Sequence, residues 1–160
     1  MLFLLDADTI ITSERNSYNL EGFEPFWWWL VEKGENGDVK IPIEQFEEVT
    51  DGTGAIVDFL GQKEVEEALV LSEDADPEIV SRVVEQGYGD LDDREILKIG
   101  RDPFLISYGV IDPENRKIVT YENSAPSKVR ANRKVPDVCR DFGIHSCTMF
   151  ELVRELKFKM

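Results

Sequence analysis

Apolar residues along the chain follow two alternating patterns. Short continuous apolar runs end at acids or turn residues, and between them lie longer segments with apolar positions at helical spacing. The run Leu2-Phe3-Leu4-Leu5, closed by Asp6, is the pattern of a strand buried on both faces of a parallel sheet. Residues 39–43 predict a second short strand that ends around Pro42. Residues 117–121 predict a third, rich in β-branched and aromatic side chains, and residues 144–147 a shorter fourth. Helical spacing marks residues 22–33, 44–49, 64–71 and 77–86, the last with Ile79, Val80, Val83 and Val84 on one face. Asp102-Pro103 opens another helix, with Asp expected as N-cap and Pro at the first helical position. Residues 136–142, stopped by Gly143, and 148–156 complete the set.

Strands that alternate with helices predict an α/β domain built on a parallel sheet, in three α/β/α layers. Such sheets take ligands beyond the carboxyl ends of their strands. A length of 160 residues predicts one domain spanning 1–160. Residues 51–98 are helical in pattern and carry 14 acids against 4 bases, which predicts an acidic helical lobe inserted between two strand-bearing halves. No apolar run approaches the ~20 residues of a membrane span. The apolar opening is met at once by Asp6 and Asp8 and lacks a basic leader, so the expectation is a cytoplasmic protein without a signal peptide.

Charge changes the picture. The formal net charge is −15, divided as −19 over residues 1–123 and +4 over residues 124–160. Lys128, Arg130, Arg133 and Lys134 cluster in this basic part, close to Ser124, Ser127 and Asn132, and predict a loop that grips phosphate. Cys139 and Cys147 are too few for a disulfide scaffold and read as buried thiols. The single histidine, His145, leaves too few ligands for a zinc site and reads as structural or surface. Trp27-Trp28-Trp29 cannot all face one core, because successive helical residues turn by about 100°. At least one is expected to meet the lobe, a partner protein or an unpaired base.

The candidate chemistry lies in the acids that follow the strands. Asp6 follows the first strand and Asp8 lies two residues on. Glu44, Glu47 and Glu48 follow the second, Glu122 follows the third, and Asp102 begins a helix. In a parallel sheet these converge at one edge. Clustered carboxylates raise each other's pKa, and a hard divalent cation relieves the repulsion.

These same segments resemble PIN domains. Phe3-Leu4-Leu5-Asp6-Ala7-Asp8-Thr9-Ile10-Ile11 is similar to the opening of that family, and Phe46-Glu47-Glu48-Val49 to its second element. Arg101-Asp102-Pro103-Phe104-Leu105-Ile106-Ser107-Tyr108 is similar to the third, and Ile118-Val119-Thr120-Tyr121-Glu122-Asn123 to the fourth. The segment from Lys134 to Leu152 resembles a PIN-like family close to VapC-type toxins. The resemblance implies a PIN-like domain with Asp6 and Asp102 as direct ligands of Mg²⁺ or Mn²⁺. Glu48 and Glu122 would complete the acidic cluster, Thr120 would orient Glu122 or a water, and Asp8 would support the site. It further implies a metal-dependent endoribonuclease, the toxin of a toxin–antitoxin pair, with RNA as substrate, an antitoxin protein as partner and a homodimer as the assembly. The sequence departs from many PIN domains in having Glu122 where they have Asp, and Glu44 and Glu47 stay open as rivals to Glu48.

Two other readings follow from the same residues. A PIN-like module that binds without cutting would keep the fold and hold metal weakly. A phosphatase of the haloacid-dehalogenase type is prompted by Asp6-Ala7-Asp8-Thr9, but that family places its Thr four residues after the first Asp, where this chain has Ile10.

Overall fold

Why each strand is short becomes clear in the computed structural model, which describes residues 1–159. Strand β1 (Leu2–Leu5) pairs in parallel with β2 (Val39–Lys40) on one side and with β3 (Arg116–Val119) on the other, and β3 pairs in parallel with β4 (His145–Cys147). The order β2-β1-β3-β4 places β1 inside the sheet, with both edges covered, which accounts for its unbroken apolar run. The chain moves outward from β1 to β2 and then returns to the far side of β1 as β3. The carboxyl ends of β1 and β3 therefore flank the topological switch point, the crevice in which open α/β sheets bind ligands.

The second strand is shorter than its apolar pattern implied. Pro42 has no N–H to add to the ladder and instead stands as N-cap of a helix that already includes Ile43. Ile41 alone extends the edge, through a parallel bridge to Val70.

Among the described residues ten α-helices surround the sheet. In chain order they are α1 (Ala7–Asn16), α2 (Leu20–Glu35), α3 (Ile43–Thr50), α4 (Ala55–Leu60), α5 (Lys63–Leu69), α6 (Pro77–Arg82), α7 (Asp93–Ile99), α8 (Asp102–Ile111), α9 (Val135–Asp141) and α10 (Met149–Glu155). α6 runs on as a π-helix over Val83–Tyr88. Strand alternation sends Phe3, Leu5 and Val119 into one core and Leu4 and Ile118 into the other. The first core packs residues of α1 to α5 and α10, and the second packs residues of α8, α9 and the π-helix. The three-layer α/β/α architecture is thus the direct result of a sheet that is apolar on both faces.

Residues 51–98 are helical, as their pattern predicts, but their helices divide between the two layers. Ile56, Phe59, Leu60, Val65 and Leu69 enter the first core, while Val83, Tyr88 and, just beyond, Ile99 enter the second. The acidic face is the solvated side of helices that complete both cores.

The tryptophan triplet resolves by rotation around α2. Trp27 is fully buried and donates its indole N–H to the Tyr18 carbonyl at 2.6 Å. Trp29 packs against Phe26 and Phe158. Trp28 keeps 37% exposure and leans edge-on against Phe59 of α4, so the segment predicted as a lobe does cover it in part. Among the described residues no helix is long and apolar enough to cross a membrane.

Gly34 lets α2 and α5 touch. A Cβ there would lie 2.6 Å from the Ala68 carbonyl oxygen and 2.8 Å from Leu69 Cδ2. Because the first obstacle is backbone, a side chain can be accommodated only by parting the helices. Gly34→Ala is expected to destabilise the fold by about 2 kcal/mol or more in denaturant unfolding. A loss within experimental scatter would show that this contact is loose.

Candidate metal and phosphate site

Asp6 occupies the first position beyond β1. Its backbone N–H donates to the Val119 carbonyl at 3.2 Å, and its Oδ1 accepts from Thr9 N–H at 2.6 Å as the N-cap of α1. The side chain is 4% exposed. Burial pushes its pKa up to about 6, against the lowering effect of hydrogen bonds from Thr9 and Thr120. Thr120, the first residue after β3, thus touches the acid at the end of the neighbouring strand. Its Oγ1 also accepts from Glu122 N–H at 3.1 Å, so it sets the backbone that carries Glu122.

Asp102 stands at the start of α8, but not as its cap. Arg101 takes that place, Asp102 is the first helical residue, and no side chain caps the helix. The correction matters chemically. The Asp102 carboxylate is released from the helix end and has no hydrogen-bond partner among the described residues. Burial, then the charges of Glu122, Asp6, Glu48 and Asp8, raise its pKa to about 8. The charges of four other carboxylates thus reach Asp102.

Among the three rivals on α3, the structure separates the roles. Glu44 accepts from the Tyr108 hydroxyl at 2.9 and 3.2 Å. Glu47 lies 3.8 Å from the Arg101 guanidinium, a loose and largely exposed pair. Glu48 alone of the three acts on Asp102. Its own pKa is raised by desolvation and by Asp8, with Arg101 opposing. Asp8 itself is exposed in the first turn of α1.

Glu122 has a second task. Its Oε2 accepts from Val135 N–H at 2.6 Å, at the opening of α9. Among the described residues no three Asp, Glu, His or Cys side chains are gathered closely enough to form a metal cage. The donor set nevertheless suits a hard cation. It is all oxygen, burial and then neighbouring charge raise the pKa of Asp6, Glu48 and Asp102 within it, and it includes the largely enclosed Asp102 carboxylate, to which no donor points among the described residues.

The basic loop is only partly what its composition suggested. Arg130 is held away from the acids by Glu95, at 2.9 and 2.8 Å, and by the Asp90 carbonyl at 2.7 Å. Its φ of +54° is sustained by that clamp. Arg133 donates to the Gly87 carbonyl and to Asp141, each at 2.6 Å, and so ties the loop to the π-helix. These two arginines are structural clamps because a guanidinium can satisfy several oxygens at once. Lys128 and Lys134 make no ion pair or hydrogen bond among the described residues, and both line the pocket beside Asp102 and Glu122. Lys98, which sequence reading passed over, joins them.

A family model described as a domain of unknown function (DUF4411) matches residues 3–160. The chain belongs to the DUF4411 family. Neither a curated protein nor a solved structure matches it. In this DUF4411 chain, therefore, the site is defined by its own geometry.

Two supporting side chains carried no clear signal in the sequence. Gln45 is 1% exposed, and its amide bridges the segments that carry the two aspartates. Its Oε1 accepts from Ala7 N–H at 3.0 Å, and its Nε2 donates to the Arg101 carbonyl at 3.1 Å. Asp137, 3% exposed, accepts from Ser124 Oγ at 2.5 Å and Ala125 N–H at 2.8 Å, which anchors the loop after Glu122. The only hint of Gln45 is its place beside Phe46 and one turn before Val49 on the inward face of α3. Gln45→Met preserves length but strands two backbone groups, so a loss of about 2 kcal/mol is expected. No loss would mean that water replaces the amide.

The raised aspartates also set a pH dependence. Below the unfolded value near 4 both states are protonated and Asp102 imposes no penalty. Between that value and about 8 the unfolded chain ionises while the folded one resists, so stability falls as pH rises. Asp6 adds to the fall up to about 6. Without divalent metal, Asp102→Asn is expected to be more stable than wild type by at least about 2 kcal/mol at pH 8, and nearly equal at pH 4. Thermal melts of both proteins across that range check the sign; a variant less stable at pH 8 would refute it.

Proposed function

We propose that the chain is a PIN-like, metal-dependent endoribonuclease acting in the cytoplasm, the toxin of a toxin–antitoxin pair. The observation that carries this reading is the convergence of Asp6, Asp8, Glu48, Asp102 and Glu122 at the switch point of a parallel sheet, beside a lysine-rimmed pocket. Asp6 and Asp102 would hold Mg²⁺ or Mn²⁺, with Glu48 and Glu122 completing the cluster directly or through water. A divalent ion bound there would polarise a phosphodiester and lower the pKa of an attacking water.

The residues of the chain supply the rest. Thr120 fixes the direction of Asp6 and of the Glu122 backbone. Gln45 keeps the start of α1 and the start of α8 at a set separation. Lys128 and Lys134 attract the polyanion toward acids that would otherwise repel it. An antitoxin protein and a second copy of the chain are the partners this reading implies.

One observation favours a second reading, a PIN-like module that binds RNA without cutting it. The Glu122 carboxylate is already engaged by Val135 N–H, and no preformed cage of three ligands is present among the described residues. The two readings part on cleavage. Antitoxin-free protein is expected to cut single-stranded RNA with Mg²⁺ or Mn²⁺ and not with EDTA. Asp6→Asn and Asp102→Asn should each slow cleavage by at least about 100-fold, as loss of a group that stabilises developing charge does. Absence of cleavage with either metal would select the binding module. Cleavage unchanged in both variants would place the site elsewhere.

A further inference from the structure

Tyr88 ends the π-helix in a position that packing alone does not explain. The residue is 4% exposed, and its hydroxyl is closed off from solvent with no hydrogen-bond partner among the described residues. A buried unmade hydrogen bond costs about 1–3 kcal/mol, and a phenylalanine would fill the same space without that cost. The local backbone is shaped to put the ring there. Gly87 sits against α9, where a Cβ would lie 2.7 Å from Val138 Cγ1, and Gly89 takes φ +120° to turn the chain away. Arg133 grips the Gly87 carbonyl between them at 2.6 Å. Single stretches of π-helix are often found at functional sites.

The ring forms one wall of a cavity of about 220 Å³. Asp102 and Glu122 also line it, together with Lys98, Lys128, Arg133 and Lys134. Lys98 is oriented by the Asn132 side chain, which lies on the same wall. The volume is small beside the ~300–1,000 Å³ clefts that enclose whole organic ligands. The lining combines hydrogen-bond donors and cations with two carboxylates, and apart from Tyr88 its apolar side chains, Ile99 and Ala131, are aliphatic. Such a recess suits one tetrahedral oxyanion on a sugar rather than a base. The charges of Asp102 and Glu122 reach the Tyr88 hydroxyl and, after burial, hold it protonated, so that it is available as a donor.

We propose that this recess is a subsite for one phosphate group of a single-stranded RNA backbone, with a small shift of the Tyr88 side chain opening its hydroxyl to donate to a phosphate oxygen and Lys98, Lys128, Arg133 and Lys134 balancing its charge. The assignment of RNA as the source of that phosphate rests on the ribonuclease reading; the phosphate site itself rests on the orphaned hydroxyl and the lined cavity. Contacts of this kind position a strand and carry no base preference. Metal bound by the neighbouring aspartates would remove the repulsion that Asp102 and Glu122 exert on an anion, so phosphate and metal should bind with positive and reciprocal coupling.

The test compares wild type, Tyr88→Phe and Lys134→Gln by calorimetry. Each is titrated with Mn²⁺, and then with 5′-AMP, adenosine and inorganic phosphate, with and without Mn²⁺. Thermal melts accompany every protein. Wild type is expected to bind 5′-AMP and, more weakly, inorganic phosphate, but not adenosine, and to bind 5′-AMP more tightly with Mn²⁺ present. Tyr88→Phe should weaken 5′-AMP about 10-fold while leaving Mn²⁺ affinity unchanged and the melting temperature equal or higher. That last result separates a ligand contact from a structural one, since a structural hydroxyl would lower stability when removed. Lys134→Gln should weaken 5′-AMP several-fold and leave adenosine unbound. Adenosine binding as tightly as 5′-AMP, or equal 5′-AMP affinity in wild type and Tyr88→Phe, would overturn the subsite. Absence of Mn²⁺ binding by wild type would overturn the metal reading, while 5′-AMP binding that still depends on Tyr88 would leave the phosphate site standing.

Discussion

The site depends on the parallel pairing of β1 with β3, in which Leu5 lies opposite Val119. That register brings Asp6, the next residue of one strand, beside Thr120, the next residue of the other, and joins them through Asp6 N–H to the Val119 carbonyl. A slip of β1 by one residue would send Phe3 and Leu5 to the opposite core and carry Asp6 with them. The register is therefore held by two apolar cores at once. Gln45 extends the constraint sideways, from the start of α1 to the start of α8, and so links an acid positioned by the sheet to one positioned by a helix.

Charge is arranged against stability at that point. Asp6 is buried and Asp102 largely enclosed, and the charge of Asp6 adds to the burial that resists ionisation of Asp102. The Tyr88 hydroxyl, on a residue lining the same pocket as Asp102 and Glu122, has no hydrogen-bond partner among the described residues. It breaks the rule that buried polar groups are satisfied. Concentrated local conflict inside an otherwise consistent structure is the usual mark of a functional site. Elsewhere the same residue types are satisfied: Asp137 by Ser124 and Ala125, and Glu44 by Tyr108.

The basic segment shows how net charge misleads when read alone. Arg130 and Arg133 neutralise Glu95 and Asp141 and bind carbonyls of the π-helix and of the turn that follows it. Half of the predicted phosphate grip is thus used to fasten a loop over the second core. The lysines, which cannot make such forked contacts, line the pocket together with the clamped Arg133. The acidic segment at residues 51–98 likewise has a packing function, since its apolar positions close both cores beneath a solvated acidic surface.

The sequence by itself determined the class of the fold, because a continuous apolar run can be buried only in a sheet covered on both faces, and because helices between strands force parallel pairing. It also located the acids, since a residue directly after a parallel strand must lie at the carboxyl edge. Local pattern could not decide whether Glu44, Glu47 or Glu48 turned inward, because one residue of helix is about 100° of rotation and all three are acids. It could not reveal that Asp102 follows the cap rather than forming it, that Gln45 spans two segments, or that Lys98 and Tyr88 line one pocket with Glu122. Those facts depend on contacts between residues far apart in the chain, and only the packing of helices against both faces of the sheet brings them together.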